Sequence, residues 1–311
     1  MRSYIFSVLV MICSCFNSLA YLDGEKVHLV HRTTLSGDMK DQIIPKGNVF
    51  LFHSNAHILE NLDSLWKATD SIEYLSDYGV VLMYQEKYQD AKTVFLTVEK
   101  SRPNSYLTAS HLSSVYELMG DNSAALLWVQ KAIHLNPLLN DSSEWLHVKI
   151  LEAKMNGARC FNSDFLLGVN FGRDSLPVSS FSQPELMRLR KSVFLQLNEQ
   201  LTFIQPKDKI VAQLLFDLAN LSLLTGADIY AVNDVYSMAK SYGYDGSLFD
   251  KRSSYAKNLS LKINRGQFSK SNKNEKAKST SMKTPLMIIL GVCFLLFPVF
   301  AFLYLYKRMK S

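Results

Sequence analysis

The chain has 311 residues, of which 34 are Lys or Arg and 28 are Asp or Glu, giving a formal net charge of +6. That charge is unevenly distributed. Residues 262–311 carry ten basic residues and one Glu, whereas residues 21–261 carry 23 basic and 27 acidic residues. The part of the chain that can bury a core is therefore mildly acidic, which argues against nucleic acid as a partner because nucleic-acid binding needs a basic folded surface.

Residues 1–20 have the features of a secretory signal peptide. Arg2 is followed by an apolar run from Tyr4 to Ile12, and small residues lead to Ala20. This order of basic, apolar and small residues predicts export and cleavage after Ala20. The alternative is lipidation at Cys15, because residues 12–15 loosely resemble a bacterial lipobox.

Residues 21–71 are predicted to cap the N-terminal end of the folded part. Residues 26–35 alternate like a short strand, and residues 54–70 have a helical pattern. His53 and His57 are four residues apart, so they would share a helix face. No third ligand lies near them, and we expect no metal site and no cofactor.

Residues 72–139 contain one pattern written twice, 34 residues apart. In each copy, apolar and small residues alternate over two helices separated by a turn, and a proline follows the second helix. Glu86 stands in the first copy where Gly120 stands in the second. The residues predicted to pack within and between the copies are Gly79, Ala91, Phe95, Pro103, Ala125 and Pro137.

This period and pattern resemble the tetratricopeptide repeat, a helix–turn–helix unit of 34 residues. The resemblance implies an all-α solenoid of antiparallel helix hairpins that buries each unit on the next. It also implies a groove, lined by the first helix of each unit, that binds a protein or peptide. The predicted groove residues are Glu73, Ser76, Val80, Met83, Tyr84, Leu107, Ser110, Ser114, Glu117 and Leu118.

The groove residues predict what kind of partner would fit. Family members that clamp a terminal carboxylate do so with Lys, Arg and Asn, whereas these positions hold Ser, Val and Glu. We therefore expect a partner contacted through apolar and neutral polar groups. Val80, Met83, Tyr84 and Leu118 are expected to be partly exposed, unless they pack against the N-terminal cap instead.

Residues 140–261 are predicted to hold further helices. Residues 142–155 form one, with Ser142 or Ser143 as the N-cap, and residues 182–203 form another, capped by Ser182. A divergent repeat unit follows at 212–245, in which Gly226 corresponds to Gly120. Residues 161–180 interrupt the period and predict a loop.

No reaction is identified by the sequence. Glu144, His147 and Glu152 are close together in the chain, but a helix directs Glu152 away from His147, so we expect no acid–base pair. Cys160 is the one cysteine between the two terminal segments, and we expect it to be buried or to pair between chains. These patterns favour a binding protein without catalysis; the alternative is a divergent envelope enzyme, or an accessory subunit of one, with a site on the 161–180 loop.

The C-terminal segment predicts a membrane anchor. Residues 285–306 form an uncharged apolar run, long enough to cross the ~30 Å hydrocarbon core as a helix. A basic flexible tether, 262–284, precedes it, and a cytoplasmic tail, 307–311, comes after it. With an exported N-terminal region, this predicts a single-pass protein whose folded part lies in the periplasm or outside the cell. A eukaryotic origin stays open, and Asn140, Asn220 and Asn258 would then be candidate glycosylation sites.

Overall fold

The computed structural model describes residues 43–47 and 57–265, and within them it is helical with no strand. The predicted signal peptide, the predicted strand at 26–35, His53 and the predicted span 285–306 lie outside these residues. Among the residues described, no helix is long and apolar enough to cross a membrane. The structure divides into two units at residue 256, and the paired helices belong to the first unit.

The helices of the first unit pack in consecutive pairs. Each helix contacts the one before it and the one after it across most of the unit, and α2 also contacts α4. The helices are α1 (Ile58–Thr69), α2 (Ile72–Tyr84), α3 (Tyr88–Ser101), α4 (Tyr106–Leu118), α5 (Asn122–Leu135), α6 (Glu144–Asn156), α7 (Ser163–Leu167), α8 (Gln183–Phe203), α9 (Lys209–Leu224) and α10 (Ile229–Ser241). This all-α arrangement is compatible with a repeat like the tetratricopeptide repeat.

The two predicted repeat copies correspond to the pairs α2/α3 and α4/α5. Gly79 lies in contact with Phe95, so closely that a Cβ at residue 79 would stand 2.7 Å from the ring. In the second pair, Ser113 donates a hydrogen bond of 2.9 Å from its hydroxyl to the carbonyl of Ala125. Small residues at these positions let the two helices of each pair approach closely. Gly79, Ala91, Phe95 and Ala125 are buried, whereas Pro103 and Pro137 lie just after helix ends, outside the core.

The turns between paired helices share a left-handed residue. Gly120 has φ +82° and Gly226 has φ +71°, a conformation that costs glycine little. Glu86, at the corresponding place in the first copy, has φ +60°. The first copy thus keeps the left-handed turn although Glu86 replaces the glycine.

Later helices begin and end close to the residues that their caps predict. α8 starts after Ser182, whose backbone N–H donates to Glu185 Oε2 at 2.8 Å, and Pro184 lies in its first turn. α6 starts after Ser143, but the hydroxyl of Ser143 makes no cap hydrogen bond there. The predicted divergent unit is the pair α9/α10, and residues 247–256 are helical beyond it.

Two predicted boundaries are wrong. The segment 161–180 is not all loop, because Asn162 caps the short helix α7 by accepting the Phe165 N–H and Gly168 closes it in the left-handed conformation. In the second unit residues 257–265 are helical, so helix extends past the predicted start of the tether at 262. Neither Gly nor Pro occurs between 257 and 265 to stop it.

Candidate functional site

The predicted groove is only partly open. Leu107 is exposed, and Glu73, Ser76, Val80, Ser110 and Ser114 are half-buried on α2 and α4. Met83 is buried at 4% exposure, so the expectation that it is partly exposed is wrong. Its side chain packs with Phe95 and Leu112 in the core of the first copy, because it lies on the face of α2 that meets α3 and α4.

The N-terminal cap accounts for part of this burial. α1 places Leu62 against Val81, with Val80 and Tyr84 packed around them. The alternative in which some groove residues pack against the cap therefore holds for Val80 and Tyr84. Both are half-buried, as is Leu118.

The long helix α8 covers one end of the groove. Phe203 lies against Tyr84 with ring centroids 5.0 Å apart, and the Tyr84 hydroxyl pairs with Thr202. Gln200 donates from Nε2 to Glu117 Oε1 at 3.3 Å. Tyr84 and Glu117, two of the ten predicted groove residues, are thus in contact with α8.

Beneath α8 lies a buried polar cluster that the sequence did not predict. His147 on α6 contacts Glu117 Oε2 through Nε2 at 2.7 Å and Glu144 Oε2 through Nδ1 at 3.3 Å. Lys154 donates to Glu117 Oε1 at 2.6 Å. Spacing along α6 alone could not reveal this ion pair, because the main partner of His147 comes from α4, 30 residues earlier. Glu152 does point elsewhere and pairs with Lys149.

A third carboxyl completes the cluster. Asn140 donates from Nδ2 to Glu199 Oε1 at 2.8 Å and to Glu144 Oε1 at 3.2 Å. Asn140 is held in a left-handed turn, with φ +50°, that continues through Ser142. Gln196 on α8 donates to both Ser143 Oγ and Glu144 Oε1 at 3.2 Å. Helices α4, α6 and α8 therefore meet through side chains with hydrogen bonds, not through an apolar seam alone.

The electrostatics of the cluster follow from its burial. Both ring nitrogens of His147 face carboxylates, so both donate and the ring is a cation. Burial alone would lower the pKa of His147, but Glu117 and Glu144 raise it well above its usual range. Burial would likewise raise the pKa of Glu117, yet His147 and Lys154 hold it below its usual range. Burial and the charge of Glu144 raise the pKa of Glu199 to about 8.

A second buried polar group ties α7, α9 and α10 together. Asp217 accepts hydrogen bonds from Ser163 Oγ at 2.7 Å and Gln213 Nε2 at 3.0 Å. Burial raises the pKa of Asp217 to about 7. Nearby, the Tyr236 hydroxyl donates to Asn220 Oδ1 at 2.9 Å. Asn220 is fully buried, so the folded unit does not offer it for glycosylation.

Arg252 fixes the segment after α7. Its guanidinium donates to the carbonyls of Phe171 at 2.6 Å, Gly172 at 2.9 Å and Asp174 at 3.2 Å, and it lies over the Phe216 ring. Arg252 is 1% exposed, so these carbonyls replace water as its partners. The segment is therefore attached to the folded unit through its backbone.

An open depression of about 740 Å³ lies between α6 and α8. Trp145 and Phe181 are partly exposed at its wall, Leu189 is buried in its floor, and an ion pair between Lys191 and Asp141 stands at its rim. Leu167, which belongs to the 161–180 region, also lines this depression. Among the residues that the structure covers, no group of His, Cys, Asp and Glu is arranged to hold a metal ion. Cys160 is a buried free thiol.

Comparison with known proteins adds no assignment. No protein-family model matches the chain, and a search of curated proteins finds no similar sequence.

Proposed function

We propose that the chain is a membrane-anchored scaffold that binds a protein partner at the cell envelope, on a solenoid like that of tetratricopeptide-repeat proteins. The solenoid interpretation rests on the 34-residue period together with the small residue, Gly79 or Ser113, that each copy places at the contact between its two helices. In the first copy Gly79 contacts Phe95, and in the second copy Ser113 donates a hydrogen bond to Ala125. The turns within the two copies correspond as well, with Glu86 in one and Gly120 in the other. Such arrays leave extended surfaces suited to holding a peptide or a helix.

The observation that carries the binding proposal is a row of side chains along α2 and α4. Glu73, Ser76 and Val80 recur 34 residues later as Leu107, Ser110 and Ser114, and all six are half-buried or exposed. α2 and α4 are in contact, so the row forms one surface. Glu73 is paired with Arg102, which leaves apolar and neutral polar groups to meet a partner. The ligand is therefore a protein segment with apolar and neutral polar side chains.

The location at the envelope rests on the sequence of the two ends. An exported N-terminus and a C-terminal anchor at 285–306 would place the folded unit in the periplasm or outside the cell, with the tail in the cytoplasm. Partners and their pathway would then be found at the membrane.

The binding test adds bulk and charge to the row. Ser76→Arg with Ser110→Arg should abolish partner recovery when the chain is used to capture proteins from envelope extract, because two cations would project into an apolar and neutral surface. Thr93→Arg with Thr97→Arg is the matched control, since both threonines lie on the outer side of α3. Circular dichroism checks that all variants keep their helicity. Equal recovery of every partner by both double variants would remove this row as the site.

The alternative function is an envelope enzyme or an accessory subunit of one. The depression beside Trp145 and Phe181 favours it, because concave sites with aromatic walls are where small ligands bind. His147 does not favour it, since both of its ring nitrogens are already engaged by carboxylates. A thermal-shift screen against nucleotides, metal ions and small metabolites separates the two functions. The scaffold proposal expects no shift, and a shift abolished by Trp145→Ala would favour the enzyme.

A further inference from the structure

Helix α8 meets the repeat pairs through one polar and aromatic face. Gln196, Gln200 and Phe203 are spaced as i, i+4 and i+7, which places them on one side of the helix. They contact Glu144, Glu117 and Tyr84 respectively. Two of these three partners are predicted groove residues, so this end of the groove is occupied by a helix of the chain itself.

The charged side chains between α8 and the helices it covers destabilise this interface unless their charges balance. Glu117, Glu144 and Glu199 are three carboxyls, and His147 and Lys154 are two cations. The cluster is neutral only when one carboxyl carries a proton, and an unbalanced charge is expensive in a site that is buried at Glu144 and His147 and half-buried at Glu199. Among the residues described, Glu199 has no cation in contact, only the amide of Asn140. The proton therefore belongs on Glu199.

The titratable groups that face Glu199 all come from helices that α8 covers. They are Glu144 and His147 on α6, Glu117 on α4, and Tyr84 on α2, whose phenol is affected by the charge of Glu199. Ionised Glu199 would be repelled by both Glu144 and Glu117. The amide oxygens of Gln196 and Gln200 are also buried and find no hydrogen-bond partner in the part of the chain that the structure describes, so they make the closed interface less stable.

We propose that protonated Glu199 acts as a latch that holds the C-terminal half of α8 over the groove, and that loss of its proton releases α8 from Tyr84 and Glu117. This inference rests on the proposed function in one respect, that the uncovered groove binds the partner. The latch itself is proposed for the chain without a bound partner. Rising pH opens the covered end of the groove, and falling pH closes it.

The sign and the pH range follow from linkage. A carboxyl that binds its proton more tightly in the closed state stabilises that state fully below its ordinary pKa of 4.5, and this stabilisation is lost as pH rises toward about 8. His147 is protonated in both states below its ordinary pKa of 6.5, and Glu117 is ionised in both above 4.5. Between about pH 5 and 6.5 the opening of α8 is therefore governed by Glu199 alone.

Hydrogen exchange on the full chain, without any partner, tests the latch. Protection of residues 194–203, corrected for the intrinsic effect of pH, should fall about thirty-fold between about pH 5 and 6.5, which is tenfold for each pH unit for one proton. The Glu199→Gln variant should show no such fall, because its amide is a neutral isostere that still accepts from Asn140. Glu152→Gln is the matched control, because Glu152 lies on α6 outside the cluster, and it should behave as the native chain does.

Three results would overturn the proposal. Native protection that is flat over this range would show that no proton is linked to α8. An unchanged slope in the Glu199→Gln variant would place the proton on another group. Equal loss of protection in α3 would mean that the whole unit opens, and this comparison within the native chain decides the matter even if the variant fails to fold.

Partner capture at two pH values links the latch to the function. Recovery by the native chain should rise from about pH 5 to about pH 6.5, the range governed by Glu199 alone, and recovery by the Glu199→Gln variant should not. A latch that opens without any change in recovery would overturn its regulatory role. Loss of recovery in the Ser76→Arg and Ser110→Arg variant is a separate result, so a failure of the proposed function is distinguishable from a failure of the latch.

Discussion

At the scale of single residues, the close approach of α2 and α3 depends on the missing side chain at Gly79. Replacing glycine by alanine inside a helix is normally favourable by about 0.5–1 kcal/mol. Here the new Cβ would lie 2.7 Å from the buried ring of Phe95. We therefore expect Gly79→Ala to lower the free energy of unfolding by about 1–3 kcal/mol, as overpacking does.

Chemical denaturation measures this change, and a double-mutant cycle identifies its cause. Gly79→Ala combined with Phe95→Leu should be less destabilised than the sum of the two single variants, because the smaller side chain leaves room for the Cβ. Ser76→Ala, at a half-buried position on the same helix, is the control. A Gly79→Ala variant as stable as the native chain would contradict the packing of this pair.

Glu86 gives a prediction of the opposite sign. Its φ of +60° is left-handed, a region that costs a residue with a side chain about 1–2 kcal/mol. Glycine fills the corresponding turn positions at 120 and 226. We expect Glu86→Gly to raise the free energy of unfolding by about 1 kcal/mol in chemical denaturation. Gln85→Gly, where φ is −85°, should destabilise instead; the same sign for both variants would rule out relief of strain as the cause.

At the scale of elements, the segment between α7 and α8 depends on Arg252. Three backbone carbonyls converge on one buried guanidinium, and losing it would leave them without partners at about 1–3 kcal/mol for each unpaired group. Arg252→Met should therefore release residues 170–180 and speed their cleavage by a protease. Arg252→Lys should restore only part of the native resistance to cleavage, because an ammonium lacks the planar set of donors that a guanidinium has.

A control for this prediction lies on the same segment. Arg173 is exposed, so its side chain is surrounded by water and Arg173→Met should leave the rate of cleavage at 170–180 unchanged. Cleavage of the Arg252→Met variant at the native rate would show that other contacts hold the segment.

At the scale of the whole molecule, the prediction concerns topology. If residues 1–20 direct export and 285–306 anchor the chain, a protease added to cells with permeabilised outer layers should digest the folded unit and leave a small C-terminal fragment. A cleaved signal peptide would commit the downstream chain to the outside until the apolar segment stops its transfer. Protection of the folded unit until the inner membrane is broken would contradict this topology.

The sequence by itself determined the local features of this protein. The α8 span and the position of the α9/α10 pair follow from signals within a few residues of each other, such as a serine cap or a turn residue. The 34-residue period follows from the recurrence of such local signals, including a proline after each second helix. Local signals work here because helix boundaries depend on backbone hydrogen bonds that close within four residues. Local signals also predicted that Glu86 occupies the turn position that Gly120 holds in the second copy.

Tertiary structure alone decided what the groove faces. Met83 and Tyr84 have the helical spacing of surface residues in the repeat, yet one is core and the other meets α8 from 119 residues later. The buried cluster assembles Glu117, His147 and Glu199 from three helices. Periodicity shows which face of a helix a residue occupies but not which distant element covers that face, and the charge of a carboxyl depends on that covering through its loss of water.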